Sequence, residues 1–240
     1  MKNILDKLIS SDYEVIKLVQ NSIKNREKLL LTYLNQHCFN VYLNDKLYKN
    51  LLDEEYIVYT DGIGMNLANR FLFNKKDKLF NASDLNDELL SFFIKNEMRF
   101  YLLGGNFTST EIEDKLKSVT SFVGYNNGFF AESELDKISD KINQVNADVI
   151  IIGMGVPKQE VISEKLSKST NAILYLCVGN FLEFYFGTVK RIPFKFRNKG
   201  IEWLFRIFQE PKRLWKRYFI GIPLFIFRVI KFKFMNSKTG

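Results

Sequence analysis

Asp61 opens the motif Asp-Gly-Ile-Gly, and only Thr60 separates it from the apolar run Tyr56–Tyr59. A carboxylate at the end of a buried strand can act as a general base or bind a ligand in a cleft. Asp before Gly is equally typical of a turn or of a helix N-cap. The residue types alone leave both interpretations open.

Two further glycine motifs follow apolar runs. The first is Leu-Leu-Gly-Gly-Asn, which contains Gly104 and Gly105, and the second is Gly-Met-Gly-Val-Pro-Lys-Gln-Glu, which starts at Gly153. Glycine lets a backbone approach a ligand closely, and proline suits the first residue of a helix. The two residues after Lys158 then lie in the first helical turn, where they either contact a ligand or cap the helix. Neither the strict dinucleotide fingerprint nor a P-loop is present, so we assign neither NAD nor ATP.

Elements that position these motifs are visible as short apolar runs between amphipathic segments. Such alternation predicts an α/β, Rossmann-like fold, with a mostly parallel sheet and helices on both faces. Ligands of such sheets bind at the carboxyl ends of the strands, where the glycine motifs fall. The predicted strands are Leu29–Leu34, Tyr56–Tyr59, Arg99–Leu103, Ser121–Tyr125, Asp148–Gly153 and Ala172–Gly179, and two of the predicted helices are Glu132–Val145 and Pro157–Ser169.

The positive charge belongs to one end of the chain. Residues 187–240 carry 14 Lys and Arg against two acids, whereas the whole chain has a net charge of +8. We therefore expect a core over residues 1–186 and a basic, aromatic, helical appendage over 187–240. Pro211 is expected to break a helix, and the apolar stretch beyond it is interrupted by cations.

This appendage has three interpretations. A cationic aromatic segment can lie in a membrane interface, or it can be a packed helix with a solvated basic face. It can also bind nucleic acid, because cations and aromatic rings suit phosphates and bases. The glycine loops and the acidic remainder of the chain argue against nucleic acid as the partner.

Few residues could hold a metal. His37 is the only histidine, and no Asp-x-Asp motif occurs, so we expect no metal and no cofactor. Cys38 and Cys177 lie far apart, as in proteins of reducing compartments. The first residues lack the apolar segment of a secretory signal, so we expect a cytoplasmic location.

The motifs taken together resemble one enzyme family. The order and spacing of the three glycine motifs and of the block Gly-Ile-Glu-Trp-Leu-Phe-Arg-Ile-Phe-Gln-Glu-Pro-Lys-Arg-Leu are similar to those of the WecG/TagA/CpsF glycosyltransferases. The resemblance extends from about Leu29 to Phe219.

The resemblance implies a reaction. It is the metal-independent, inverting transfer of an N-acetylhexosamine, such as N-acetylmannosamine or its uronic acid, from a UDP-sugar to a polyprenyl-diphosphate-linked sugar. Such transfers serve the synthesis of teichoic acid, enterobacterial common antigen or capsule. The appendage is then expected on the inner face of the cell membrane, and whether the chain forms a homo-oligomer stays open.

The resemblance also implies roles for individual residues. Asp61 is the general base. The family places a Thr in a Thr-x-Asn motif after the first strand, whereas aligning on Asn35 puts Tyr33 at that position and Thr32 one residue earlier. The implied donor-binding residues are Asn35, Gly62, Gly64, Gly104, Gly105, Gly153, Gly155, Pro157, Lys158, Gln159 and Glu160, and the implied phosphate or acceptor residues are Arg191, Arg206, Arg213 and Arg217.

Overall fold

A computed structural model describes residues 4–74, 81–193 and 202–236. Its strands are β1 (Leu29–Leu34), β2 (Ile57–Thr60), β3 (Phe100–Gly104), β4 (Phe122–Asn126), β5 (Val149–Gly153) and β6 (Leu174–Cys177). Each overlaps a predicted strand, and β2, β3 and β4 end one residue later than predicted. They form one six-stranded sheet of order β2-β1-β6-β5-β3-β4, and every pairing is parallel. The predicted α/β, Rossmann-like fold is confirmed.

Helices connect the strands and cover both faces of the sheet. They are α1 (Ile4–Lys7), α2 (Asp12–Asn25), α3 (Gln36–Asn44), α4 (Lys46–Glu54), α5 (Gly62–Phe73), α6 (Ala82–Lys95), α7 (Ser109–Leu116), α8 (Leu135–Gln144), α9 (Lys158–Ser169), α10 (Phe181–Phe186), α11 (Glu202–Gln209), α12 (Pro211–Trp215) and α13 (Gly221–Asn236). The predicted helix over 132–145 is a 3₁₀ turn, Glu132–Glu134, followed by α8.

Burial explains why the strands read as continuous apolar runs. All five residues of β5 are buried, and successive side chains of a strand point to opposite faces. Ile150 and Ile152 pack in the core on one face, and Val149 and Ile151 pack in the core on the other. A parallel sheet covered on both sides requires this pattern.

The topology opens a crevice at the carboxyl edge of the sheet. β3 is hydrogen-bonded to both β4 and β5, and β5 is also bonded to β6. The chain leaves β3 toward β4 and leaves β5 toward β6, which lies on the other side. Adjacent strands whose connections diverge form a topological switch point, where open α/β sheets bind their ligands.

The appendage is anchored on the core through α13. Phe225 and Val229 are buried, and the ring of Phe225 meets that of Phe39 edge to face, with centroids 5.7 Å apart. Arg228 donates from Nη1 to Asn40 Oδ1 at 2.9 Å. This contact ties the appendage to α3, so it packs on the sheet domain. Whether residue 187 is a domain boundary stays a prediction.

The rest of the appendage presents aromatic side chains to solvent. Phe208 is 78% exposed, Phe219 69% and Phe227 63%. Helix α11 ends at Gln209 and α12 begins at Pro211, as the proline predicts. Among the helices of the described ranges, none is both long and apolar enough to cross a membrane.

Candidate active site

The larger of two neighbouring pockets lies at the switch point between β3 and β5. It is a cleft of about 480 Å³, and Gly105, Gly128, Gly153, Gly155 and Lys158 are among the residues that line it. The glycine-bearing loops that follow β3, β4 and β5 therefore meet at this cleft. A volume of this size is typical of a small-molecule site.

Two glycines beside this cleft have a positive φ, and only one of the two lacks room for a side chain. Gly104 has φ +134°, and a Cβ there would lie 2.2 Å from the carbonyl oxygen of Gly153. Gly155 has φ +77°, and a Cβ there would meet no atom within 4 Å, so its backbone faces open space. The Lys158 ammonium donates to the Gly128 carbonyl at 2.9 Å, which places a cation beside the cleft.

Asp61 lies in the second, smaller pocket, between the ends of β1 and β2. It occupies the N-cap position of α5 but makes no side-chain hydrogen bond to that helix. Its Oδ1 accepts from the backbone N–H of Ala82 at 3.1 Å, and its Oδ2 accepts from Asn35 Nδ2 at 3.3 Å. The carboxylate is therefore positioned from two other segments and does not cap its own helix.

Asn35 is itself fixed by the start of α3. Its Oδ1 accepts from the backbone N–H groups of His37 at 3.0 Å and Cys38 at 3.1 Å. This N-cap leaves only the amide nitrogen to face Asp61. The start of α3 therefore fixes the orientation of the Asn35 side chain, and Asn35 in turn helps to fix the orientation of the Asp61 carboxylate.

Two arginines of the appendage enter the Asp61 pocket. Arg206 and Arg217 both line it. The Nε and Nη2 of Arg206 and the Nε of Arg217 are buried and have no hydrogen-bond partner within the described residues. Buried donors without partners are costly, and guanidinium groups pair best with carboxylates and phosphates. The pocket therefore combines one oriented carboxylate with two cations suited to an anionic ligand.

Tyr33 also lines this pocket, whereas Thr32 does not. Burial raises the pKa of the Tyr33 phenol well above its usual range, so the group stays neutral and can donate a hydrogen bond. A Cβ at Gly179, which has φ +58°, would lie 2.2 Å from the Tyr33 hydroxyl oxygen. Of the two candidates for the place of the family's threonine, Tyr33 is the one on the pocket side.

The two pockets meet at Asn180, which lines both. Sequence reasoning did not single out this residue. The available signal was the Gly-Asn pair after the last strand, Gly179–Asn180, which repeats the Gly105–Asn106 pair after β3. Asn180 is thus placed to contact a ligand that spans the two pockets.

Thr32, Gln159 and Glu160 form a buried network behind the pockets. All three are fully buried and line neither pocket. Glu160 Oε1 accepts from Thr32 Oγ1 at 2.7 Å and from Gln159 Nε2 at 2.8 Å. Gln159 Oε1 in turn accepts from the backbone N–H of Gly179 at 3.0 Å. The network fixes the corner at which the pockets meet, so its members are placed to position the site.

The remaining predicted site residues lie around these pockets. Arg191 forms ion pairs with Asp84 at 2.8 Å and Asp87 at 3.2 Å, and it lines neither pocket. Gly62 follows Asp61 with φ +79°, and Gly64 lines a separate apolar groove beside α13. Pro157 precedes α9, which begins one residue later than predicted. The side chain of Arg213 lies outside the described residues.

His37 and the two cysteines line neither pocket. Burial and the nearby Arg217 lower the pKa of His37 to about 4, so the imidazole is neutral at pH 7. Cys38 and Cys177 are buried free thiols. Within the described part of the chain, no three His, Cys, Asp or Glu side chains converge as a metal site would require.

Replacing Glu160 with Gln is expected to flatten the pH dependence of stability. Desolvation raises the pKa of the Glu160 carboxyl from the ordinary 4.5 to about 7. The neutral carboxyl therefore makes its full contribution to the free energy of unfolding below pH 4.5. This contribution is lost as pH rises through about 7, because the folded protein must then bury a charge. A shift of this size corresponds to roughly 3 kcal/mol of unfolding free energy.

Urea denaturation at pH 5 and pH 8 measures this effect. Between pH 5 and pH 8, the free energy of unfolding of the wild-type protein should fall by most of the Glu160 contribution, whereas that of Glu160→Gln should change little from this cause. Glu88→Gln is the matched control, because Glu88 is an exposed carboxylate on α6. Equal pH dependence in the wild type and in Glu160→Gln would show that Glu160 does not titrate in this range.

The sequence was compared with models of known protein families. The model described as "Glycosyl transferase WecG/TagA/CpsF family" matches residues 4–239. The match covers the sheet, both pockets and the appendage.

Proposed function

Since the chain belongs to the WecG/TagA/CpsF family of glycosyltransferases, we propose that it moves an N-acetylhexosamine from a UDP-sugar to a polyprenyl-diphosphate-linked sugar. Family membership means glycosyltransferase activity in surface polysaccharide synthesis. It favours the enzyme over the nucleic-acid-binding alternative. The donor, N-acetylmannosamine or a relative, the lipid-linked acceptor, the inversion and the independence from metal are parts of the proposal.

One observation carries the proposal. Asp61, held by Asn35 and Ala82, shares a pocket with Arg206 and Arg217, whose buried donors have no partner among the described residues. Glycosyl transfer from a nucleoside diphosphate needs a base at the acceptor and positive charge at the leaving group. The presence of an oriented carboxylate and two such arginines in one pocket supports the proposal.

The chemistry follows from these placements. The acceptor hydroxyl oxygen attacks C1 of the donor sugar, and Asp61 takes the proton of that hydroxyl. The bond between C1 and the β-phosphate oxygen breaks, and its electron pair leaves with UDP. Guanidinium groups aimed at that phosphate stabilise the charge that develops there. A single displacement of this kind inverts the configuration at C1.

The cleft between β3 and β5 is the proposed site of the nucleotide. It combines close backbone approach at Gly155 with the ammonium group of Lys158. Its contact with the Asp61 pocket through Asn180 lets a donor lie in the cleft with its sugar directed toward the base. A UDP-sugar has this order of parts, from nucleoside through diphosphate to sugar.

The appendage is the proposed membrane contact, on the inner face of the cell membrane. Phe208 and Phe219 are strongly exposed, and Lys212 and Lys216 are exposed on the same segment. Aromatic rings enter the interface of a bilayer, and each lysine near an anionic leaflet contributes about 1 kcal/mol of binding. Such docking would bring the Asp61 pocket to a lipid-linked acceptor.

Replacing Gly155 with Ala is expected to weaken UDP binding by at least about tenfold, because a methyl group there enters the space that the ligand would occupy. Gly187→Ala is the matched control. Gly187 has φ +81° and, like Gly155, an added Cβ meets no atom within 4 Å, but it does not line the cleft. Both variants should lose similar stability through backbone strain, and only Gly155→Ala should lose UDP affinity.

Isothermal titration with UDP, with and without EDTA, measures the affinity. If both glycine variants lost UDP affinity equally, the assignment of the nucleotide site to this cleft would be contradicted. A loss of wild-type binding in EDTA would contradict the metal-independent part of the proposal.

A further inference from the structure

An apolar groove of about 460 Å³ lies between α5 and α13 and has no part in the chemistry above. One wall comes from α5, through Leu67 and Phe71, and the other from α13, through Ile226 and Ile230. Leu67 is 55% exposed, Phe71 45% and Ile226 50%. A continuous apolar surface of this kind marks a binding site or an interface more often than a free surface.

The groove begins beside the Asp61 pocket. Gln36 and Gly64 line its end, and they directly follow Asn35 and the Asp61–Ile63 segment in the chain. Asn35 and Asp61 are hydrogen-bonded to each other, so α3 and α5 start side by side, and the groove follows α5 away from this point. The end of the groove is therefore fixed relative to the proposed base.

Charge and polarity change sharply along this path. The pocket holds the guanidinium groups of Arg206 and Arg217, with buried donors that lack a partner among the described residues. The groove is lined almost entirely by aliphatic and aromatic side chains. An amphiphile with an anionic head and a hydrocarbon tail has the same order of parts.

We propose that this groove binds the first isoprene units of the acceptor lipid, whose sugar diphosphate lies at the neighbouring Asp61 pocket. The inference rests on the proposed function, because it assigns a place to the tail of the proposed acceptor. A Cβ at Gly64 would lie 3.2 Å from the Gln36 side-chain oxygen, so α5 approaches the Gln36 side chain closely at this end of the groove. The groove orients the acceptor sugar toward Asp61, and it gives the enzyme a preference for prenylated acceptors over tailless ones.

Two soluble acceptors test this assignment. Both carry the same sugar diphosphate, one with a three-isoprene tail and one with a methyl group, and both are used below their aggregation concentrations. The wild-type protein should show a KM at least about tenfold lower for the prenylated acceptor. The reason is that the apolar tail is transferred from water into the groove. The double variant Leu67→Ser/Ile226→Ser should lose this preference while its kcat/KM for the tailless acceptor stays unchanged.

Phe227→Ser is the matched control, because Phe227 is an exposed side chain of α13 that does not line the groove. It should keep the wild-type preference. The proposal is overturned if the double variant keeps the preference, or if Phe227→Ser loses it equally. It is also overturned if sedimentation shows a wild-type dimer that the double variant breaks, since the groove is then an interface between copies.

Binding measured without turnover separates this inference from the proposed function. Farnesyl diphosphate should compete with a fluorescent prenyl probe on the wild-type protein and not bind the double variant. If the wild type binds farnesyl diphosphate in the groove but transfers no sugar, the proposed function fails and the groove assignment stands. If it transfers sugar to both acceptors without preference, the groove assignment alone fails.

Discussion

Replacing Asp61 with Asn is expected to lower kcat by about 10²–10⁴, the usual contribution of a general base. Asn keeps the size of the side chain but cannot take a proton from the acceptor hydroxyl. Affinity for UDP should change little, because Asp61 lies outside the cleft between β3 and β5. The rate should be measured by single turnover with saturating donor, so that product release does not hide the chemical step.

A small loss of stability should accompany this loss of rate. Asp61 accepts hydrogen bonds from Asn35 and from the Ala82 N–H, and an amide can accept only one of them without placing two donors together. Loss of one hydrogen bond costs about 1 kcal/mol, which lowers Tm by a few degrees. Asp114→Asn is the control, an exposed carboxylate on α7. More than about half of the wild-type rate in Asp61→Asn would mean that Asp61 is not the base.

Replacing Arg217 with Gln is expected to reduce turnover by about 10², even with a soluble acceptor, since a donor aimed at developing charge contributes on this scale. Arg217 and Arg206 are the only cations that line the Asp61 pocket among the described residues. Arg206→Gln should act in the same direction. The measurement is kcat/KM with the soluble acceptor at low and high salt.

Lys216→Gln is the matched control for Arg217→Gln. It removes the same charge from the neighbouring residue, but Lys216 is exposed and does not line the pocket. It should weaken binding to anionic liposomes in a salt-sensitive way and leave turnover of the soluble acceptor unchanged. If both variants lost activity only with membrane-bound acceptor, the appendage would be a docking surface and not part of the active site.

The fold was predictable because burial leaves a strong pattern in a parallel sheet. β5, for example, is Val-Ile-Ile-Ile-Gly and is buried on both faces, and such a short apolar run is typical of a strand in a parallel sheet. Pro211 predicted the boundary between α11 and α12 for an equally local reason, since proline cannot continue a helix but can begin one. Such signals depend on a few neighbouring residues.

Side-chain direction in the site was not predictable in the same way. Thr32 and Tyr33 are adjacent on β1, so they point to opposite faces, and only one of them can line the pocket. The packing of α9 decides the direction of Gln159 and Glu160, which the sequence left between ligand contact and helix capping. Both side chains are buried and belong to the hydrogen-bonded network behind the pockets. Their role as donor contacts stays a prediction, and in this position they would act on the donor through the residues that they hold in place.

The groove between α5 and α13 depends on contacts that are remote in sequence. Leu67 and Ile226 come together only because α13 returns to pack on α3 and α5. The aromatic and basic composition of residues 187–240 indicated an appendage with an anionic partner. It carried no information about which side chains would turn toward the sheet and which toward solvent.

Acceptor-dependent release of UDP tests the central claim most directly. Purified protein is incubated in EDTA with a panel of UDP-N-acetylhexosamines and a short-chain polyprenyl diphosphate sugar, and free UDP and glycosylated lipid are measured together. We predict equal amounts of both products with at least one donor, no sustained release without acceptor, and an inverted anomeric configuration in the product. Failure of every donor to give acceptor-dependent UDP release, or a product with retained configuration, would contradict the account.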